Sequence, residues 1–226
     1  MEHLIEQITS ITSFLPSFLQ GTGETLSIAL VSLAAGLLIG LAFSLSYSIK
    51  SIWIRWPILL ICNLIRGLPE ILILFIVYFG GSYFLSYLTN GQIEINAFLA
   101  GTITLAIIFG AYASKIFYSA LHHIVPGEKE AAAILGLSRW KTLYFIILPQ
   151  IWHQSLPGLG NLWLTLLKDT VLVSLIGGTD LMSRTQIIVQ NTQQPFTFYL
   201  LMAGIYLFLT TLSEFGIQSI QRTKHV

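Results

Sequence analysis

TLSIALVSLAAGLLIGLAFSLSYSI, residues 25–49, contains no Asp, Glu, Lys or Arg. At about 1.5 Å of rise per residue, a helix this long outruns the roughly 30 Å hydrocarbon core of a bilayer. Four more stretches are free of those residues: 71–93, 95–114, 142–167 and 185–213. Composition points the same way. The 226 residues are 54% hydrophobic and 9% charged, against about 25% charged in ordinary soluble domains. Such a chain lacks the charge to cover a water-facing surface, and its natural solvent is lipid. The expected fold class is an all-α integral membrane protein with about five transmembrane helices.

Proline and polar clusters set the expected boundaries. Pro57 can open the second helix at its first position, where its missing N–H costs nothing. Pro149 and Pro157 are expected to break up the fourth run, and Gln190–Gln194 is too polar for lipid. The spans are then about 21–47, 57–84, 95–120, 157–178 and 196–216. Residues 1–20 form an extracytoplasmic segment able to lie at an interface through Ile5, Ile8, Phe14 and Phe18. It is not a typical secretory signal, since Glu2 and Glu6 stand where such signals carry positive charge. Residues 221–226 form a tail.

Basic residues in short loops give the direction. Lys50 and Arg55 follow span one, Lys129, Arg139 and Lys141 follow span three, and Arg222 and Lys224 close the chain. The other side has Arg184 against Glu2, Glu6, Glu24, Glu94 and Asp180. This predicts an outer N-terminus, with the 121–153 loop and the C-terminus in the cytoplasm. An odd number of spans requires the same topology.

Several function classes lack support. A net charge of +1 without a basic run argues against nucleic-acid binding. No GxxxxGK[ST] loop occurs, so the chain should not bind ATP by that route. Cys62 is the single cysteine and reads as a small packing residue in an apolar stretch. His122 and His123 are adjacent and point to different helix faces, a poor metal pair. His153 beside Trp152 reads as a boundary residue, and Trp53 and Trp56 suit an interface belt. No nucleophile–base constellation is visible.

Charge does occur inside the spans. Arg66 and Glu70 lie 9 and 13 residues after Pro57, and Lys168 and Asp169 lie 11 and 12 after Pro157. All four therefore sit roughly 14–20 Å from the cytoplasmic end, near the bilayer middle. Each costs about 2.5–3.5 kcal/mol there on insertion scales. One reading is structural pairing: Arg66 and Glu70 are i,i+4 neighbours, although Pro69 bends the helix between them. The other is a polar path. Asn161, Thr165, Lys168 and Asp169 make one polar stripe at helical spacing, which must face protein or water. For a zwitterionic amino acid, Asp169 or Glu70 could meet the ammonium, and Arg66, Lys168 or Asn161 the carboxylate.

Between spans three and four runs PGEKEAAAILGLSRW, residues 126–140. Alanine and glutamate favour a short helix, and Gly136 provides its end. Glu130-Ala131-Ala132, Gly136 and then Ile146, Leu148 and Pro149 resemble the "EAA" loop of ABC importer permeases at every spaced position. Residues 64–70 (LIRGLPE) with Tyr78-Phe79-Gly80 resemble the second-helix signature of the polar amino-acid (HisM/HisQ-like) branch. Residues 156–161 (LPGLGN) with 167–170 (LKDT) resemble its fourth-helix signature. Within that branch, the closest likeness is to Q-type permeases of arginine importers.

The resemblance implies a type I ABC importer permease (MetI-like) fold and translocation of a polar or basic amino acid, arginine above all. Glu130, Ala131, Ala132, Gly136 and Leu137 would form a coupling helix docked on an ATPase. The implied partners are a homologous permease, two ATP-binding subunits and an extracytoplasmic binding protein, with lipid around the spans and no nucleic acid. The chain itself would carry no cofactor, ATP-Mg residing on the ATPase, and would not be an enzyme. One position departs: many homodimeric relatives for basic amino acids have an acid where this chain has Leu162. That favours a heterodimer whose sister permease supplies the group, with a path using Glu70 instead as the other reading. A stand-alone ion-coupled secondary transporter would explain the buried charges but not the loop. An intramembrane enzyme lacks a catalytic set.

Overall fold

The computed structural model describes residues 2–47, 49, 51–92, 95–124 and 126–222, without the side chains of residues 2–10, 126, 129, 139 and 222. Lys50, Glu94 and Lys224, used above for direction, lie outside the described residues. Every regular element among the described residues is helical. Among the described residues, five stretches are long and apolar enough to cross a membrane: Ile11–Tyr47, Glu70–Thr89, Ala97–His122, Trp140–Ile176 and Pro195–Gln221.

Helix α1 (Glu2–Tyr47) packs along α5 (Ala97–His122) in the most extensive interface of the molecule. Small residues bring the two backbones together. A Cβ on Gly40 would lie 2.8 Å from Ala113 Cβ, and one on Gly110 2.6 Å from Ile39 Cγ2. Asn96 caps α5 by accepting from the Leu99 N–H at 2.8 Å.

Residues 1–20 were expected to be a separate interfacial segment. Instead α1 runs through them to Tyr47, with Pro16 inside it. Phe14 meets the Phe198 ring edge-on at 5.7 Å, and Phe18 stacks on the same ring at 6.2 Å. Tertiary burial of these aromatics, not lipid, extends the helix.

The expected second span is also divided. Helix α2 covers Ile52–Gly67, and Pro57 is its sixth residue rather than its first. Leu68 and Pro69 are extended, at ψ 146° and 136°. The crossing segment restarts as α3 (Glu70–Phe75), passes through a π turn at Ile76–Gly80, and continues as α4 (Gly81–Thr89). A residue before proline is driven out of the α region, so the bend becomes a break. Cys62 is fully buried in α2, and Trp53 and Trp56 are exposed.

The connection after α5 holds α6 (Pro126–Ile134) and the single turn α7 (Arg139–Thr142). A π turn at Leu143–Ile147 leads into α8 (Leu148–Asp169), which tightens to a 3₁₀ stretch at Thr170–Ile176. Pro149 and Pro157 thus end nothing. Pro149 sits in the first turn of α8, and Pro157 lies inside it. A proline removes one hydrogen bond, which a helix packed along its length on α5 tolerates.

Short α9 (Leu181–Thr192) precedes the last crossing helix, α10 (Pro195–Arg222). Asp180 caps α9, accepting from Met182 N–H at 3.1 Å and Ser183 Oγ at 2.7 Å. The Leu181 N–H donates to Thr25 Oγ1 at 3.1 Å and pins α9 to α1.

Candidate functional site

A cavity of about 260 Å³ opens between α3, α5 and α8. Its polar lining is Glu70, Tyr112, Thr165 and Asp169, and its walls include Phe109, Leu162 and Leu166. Two close contacts fix how α5 and α8 face each other. Gly101 would place a Cβ 2.6 Å from Val173, and Gly158 one 3.1 Å from Ile116. One contact lies on α8 and the other on its 3₁₀ continuation, and their order along the chain makes α5 and α8 antiparallel across the cavity. Phe109 lies at the midpoint of α5, which sets the cavity about halfway along a membrane-spanning helix.

The polar residues expected from sequence divide into three groups. Glu70, Thr165 and Asp169 share this cavity. Asn161, Thr165 and Lys168 are exposed on the surface of the single chain, and Asp169 is half-buried. Arg66 ends α2 and turns back on its own helix: Nε donates to Cys62 O at 3.2 Å, and Nη2 to Asn63 Oδ1. Its own backbone carbonyl accepts from Tyr112 OH at 3.4 Å. The i,i+4 pairing of Arg66 with Glu70 is broken by the extended Leu68–Pro69 link.

Tyr112 was not singled out from the sequence. It is one hydroxyl among several on α5, and only the register against α8 selects it. Leu162, noted for the missing acid, stands in the cavity wall beside both carboxylates.

The loop helix α6 ends in a pair of hydrogen bonds that satisfy its last carbonyls. Gly136 N–H donates to Ala133 O and Leu137 N–H to Ala132 O, both at 3.0 Å. Gly136 takes φ +73°, the left-handed conformation that this cap demands. Gln150 Nε2 donates to Glu128 Oε2 and ties α6 to α8. Ala132 is buried at 1% exposure, while Ile134 and Leu135 are 86% and 77% exposed and Trp140 80%. Glu130 and Ala131 are exposed and Leu137 is half-buried. His122 and His123 each bring Nδ1 to a helix carbonyl, of Tyr118 at 3.1 Å and Ser119 at 2.7 Å.

Residues 32–224 match the family described as the binding-protein-dependent transport system inner membrane component. The chain belongs to this family. A curated relative, the arginine ABC transporter permease protein ArtQ of Haemophilus influenzae, is 43% identical over 197 residues, covering 87% of this chain and 88% of its own. Among solved structures, an amino acid ABC transporter with histidines matches at TM-score 0.82 and 30% identity, over 95% of this chain and 97% of that one. Inward-facing MetNI methionine ABC transporter matches at TM-score 0.72 and 19% identity, over 93% and 97%. The all-α, five-span architecture is thus the MetI-like fold of ABC importer permeases. This permease is a multi-pass inner-membrane protein, related at moderate identity to amino-acid permeases.

Proposed function

We propose that this permease translocates a polar or basic amino acid, most favourably L-arginine, within an ATP-driven importer. The supporting observation is the cavity, about halfway along α5, in which Glu70 and Asp169 stand together. Two carboxylates suit a solute with two cationic groups, an α-ammonium and a basic side chain. Thr165 and Tyr112 hydroxyls in the same cavity donate to Asn161 O at 3.2 Å and Arg66 O at 3.4 Å, and can donate to the carboxylate only by giving up those bonds. Leu162, Phe109 and Leu166 are apolar walls for the methylene stem. With an acid absent at Leu162, Glu70 supplies negative charge from α3. Arg66, Asn161 and Lys168 border the route.

The relative named for arginine and the structure with histidines both involve basic amino acids. A homologous sister permease covers the exposed Asn161–Thr165–Lys168 stripe, because lipid cannot. A heterodimer is preferred over a homodimer. The N-terminus faces outward, where a binding protein delivers the solute, and the C-terminus is cytoplasmic. Helix α6 docks on one of two ATPase subunits through Glu130, Ala131, Ala132, Gly136 and Leu137. Its capped end and the exposed Ile134, Leu135 and Trp140 favour such docking.

The test is ATP-dependent uptake by the complete importer in proteoliposomes, with labelled arginine, lysine, histidine and glutamine. Glu70→Gln and Asp169→Asn should each raise the arginine KM about tenfold to 100-fold, the loss of a charge-assisted hydrogen bond of about 1.5–3 kcal/mol. Unchanged KM in both variants would reduce the carboxylates to structural counter-ions. Equal uptake of glutamine would remove the preference for basic solutes.

A further inference from the structure

Tyr112 on α5 and Leu162 on α8 are the cavity residues nearest the cytoplasmic side in the proposed orientation. One turn further on each helix, Ile116 meets Gly158. A Cβ on Gly158 would lie 3.1, 3.2 and 3.4 Å from three carbons of that one isoleucine. The side chain therefore covers the glycine and closes the seam between the helices. A polar group follows on the far side of the contact. Ser155, one turn past Gly158, is 0% exposed, and its Oγ has no hydrogen-bond partner. A buried hydroxyl without a partner is costly in a settled interior, and is relieved when solute or water reaches it. Pro157 lacks the N–H that would continue the α8 ladder, so the helix bends most easily beside this contact.

We propose that Ile116 packed on Gly158 is the inner seal of the cavity, and that Ser155 is the buried polar group a solute meets when the seal parts. This rests on the transport reading above. The seal is one flexible side chain on a bare backbone, so small separation of α5 and α8 opens it. The Ser155 hydroxyl then gains a partner.

The experiment uses the full importer in inside-out membrane vesicles without nucleotide. Ser155→Cys is modified with a membrane-impermeant cationic methanethiosulfonate, and adducts are counted by intact mass of this subunit. Native Cys62 is fully buried and serves as the unreactive internal reference. Ser155→Cys should react slowly with Ile116 present and about tenfold faster with Ile116→Ala, whose lost methyl groups open the seam. Ile116→Val should fall between, and keeps the test usable if the alanine variant does not insert. Equal rates across the series overturn the seal, as does fast modification with native Ile116. Arginine uptake by the same complex with native Ile116 separately tests the transport reading, because the labelling ratio does not depend on which solute is carried.

Discussion

Replacing Gly136 with alanine isolates the backbone requirement of the loop helix. A Cβ at Gly136 meets nothing within 4 Å, so steric crowding contributes no penalty. The whole cost comes from φ +73°, which an L-residue adopts at a penalty of about 1–2 kcal/mol. That amounts to a factor of about 5–30 in the equilibrium between capped and frayed helix ends. The two bonds at stake, Gly136 N–H to Ala133 O and Leu137 N–H to Ala132 O, report directly through amide hydrogen exchange. In Gly136→Ala both amides should exchange about 5–30 times faster in the purified permease. In the reconstituted importer, uptake per ATP hydrolysed should fall, since a frayed helix transmits less displacement from the ATPase. Gly136→Asn is the control: asparagine tolerates the left-handed region, so protection and coupling should largely return. If alanine and asparagine behave alike, or alanine leaves both readouts unchanged, the capped end is not what the loop requires.

Three further substitutions probe other parts. Gly40→Val drives a branched side chain onto Ala113 Cβ, already 2.8 Å from the glycine's own Cβ position; overpacking of about 1–3 kcal/mol should lower the apparent melting midpoint in detergent, and an unchanged midpoint would deny the close α1–α5 approach. Glu130→Lys should uncouple uptake from ATP hydrolysis while membrane insertion stays normal, and normal coupling would remove Glu130 from the docking surface. Burial holds the Asp180 carboxyl above its ordinary 3.8, outweighing the donors Ser183 and Met182. The folded chain therefore keeps a proton that the unfolded chain releases, and the stability from Asp180 is greatest at low pH and falls as pH rises from 3.8 through the raised folded value. Asp180→Asn should flatten that part of the melting midpoint against pH, and an unaltered slope would refute the assignment.

Five crossing helices were legible because a charge-free run of helical span length has few alternatives. The end of α6 at Gly136 was legible too, because one glycine after an alanine-rich run marks a left-handed cap. What local rules misjudged was where packing overrules them. Residues 1–20 read as a segment ahead of the first span, yet α1 runs through them because Phe14 and Phe18 bury on Phe198. Pro157 read as a helix start, yet α8 passes through it because α5 supports both sides. Pro69 was recognised as a bend, but the extended Leu68 before it detaches Arg66 from Glu70 altogether. Asp169 and Thr165 were legible as part of a stripe. Their meeting with Glu70 and Tyr112 was not, because it depends on the register between helices distant in sequence.

The exposure of that stripe bears on what the single chain can do. Asn161, Thr165 and Lys168 lie on the surface of α8 within a membrane-spanning stretch, and Gln154 continues the same face toward the start of the helix. An ammonium at the bilayer centre alone costs about 2.5–3.5 kcal/mol, a large part of the ordinary margin of about 5–15 kcal/mol that keeps a protein folded. A face that carries three further polar side chains would spend more of it. Lipid is therefore the wrong neighbour, and in the proposed assembly the sister permease and the passing solute take its place. Glu70 and Asp169 then line a cavity of this chain whose exposed rim, at Thr165, is covered by another chain. Selectivity between arginine, lysine and histidine becomes a property of the pair. Exchanging the sister permease should alter substrate preference even when every residue of this chain is kept.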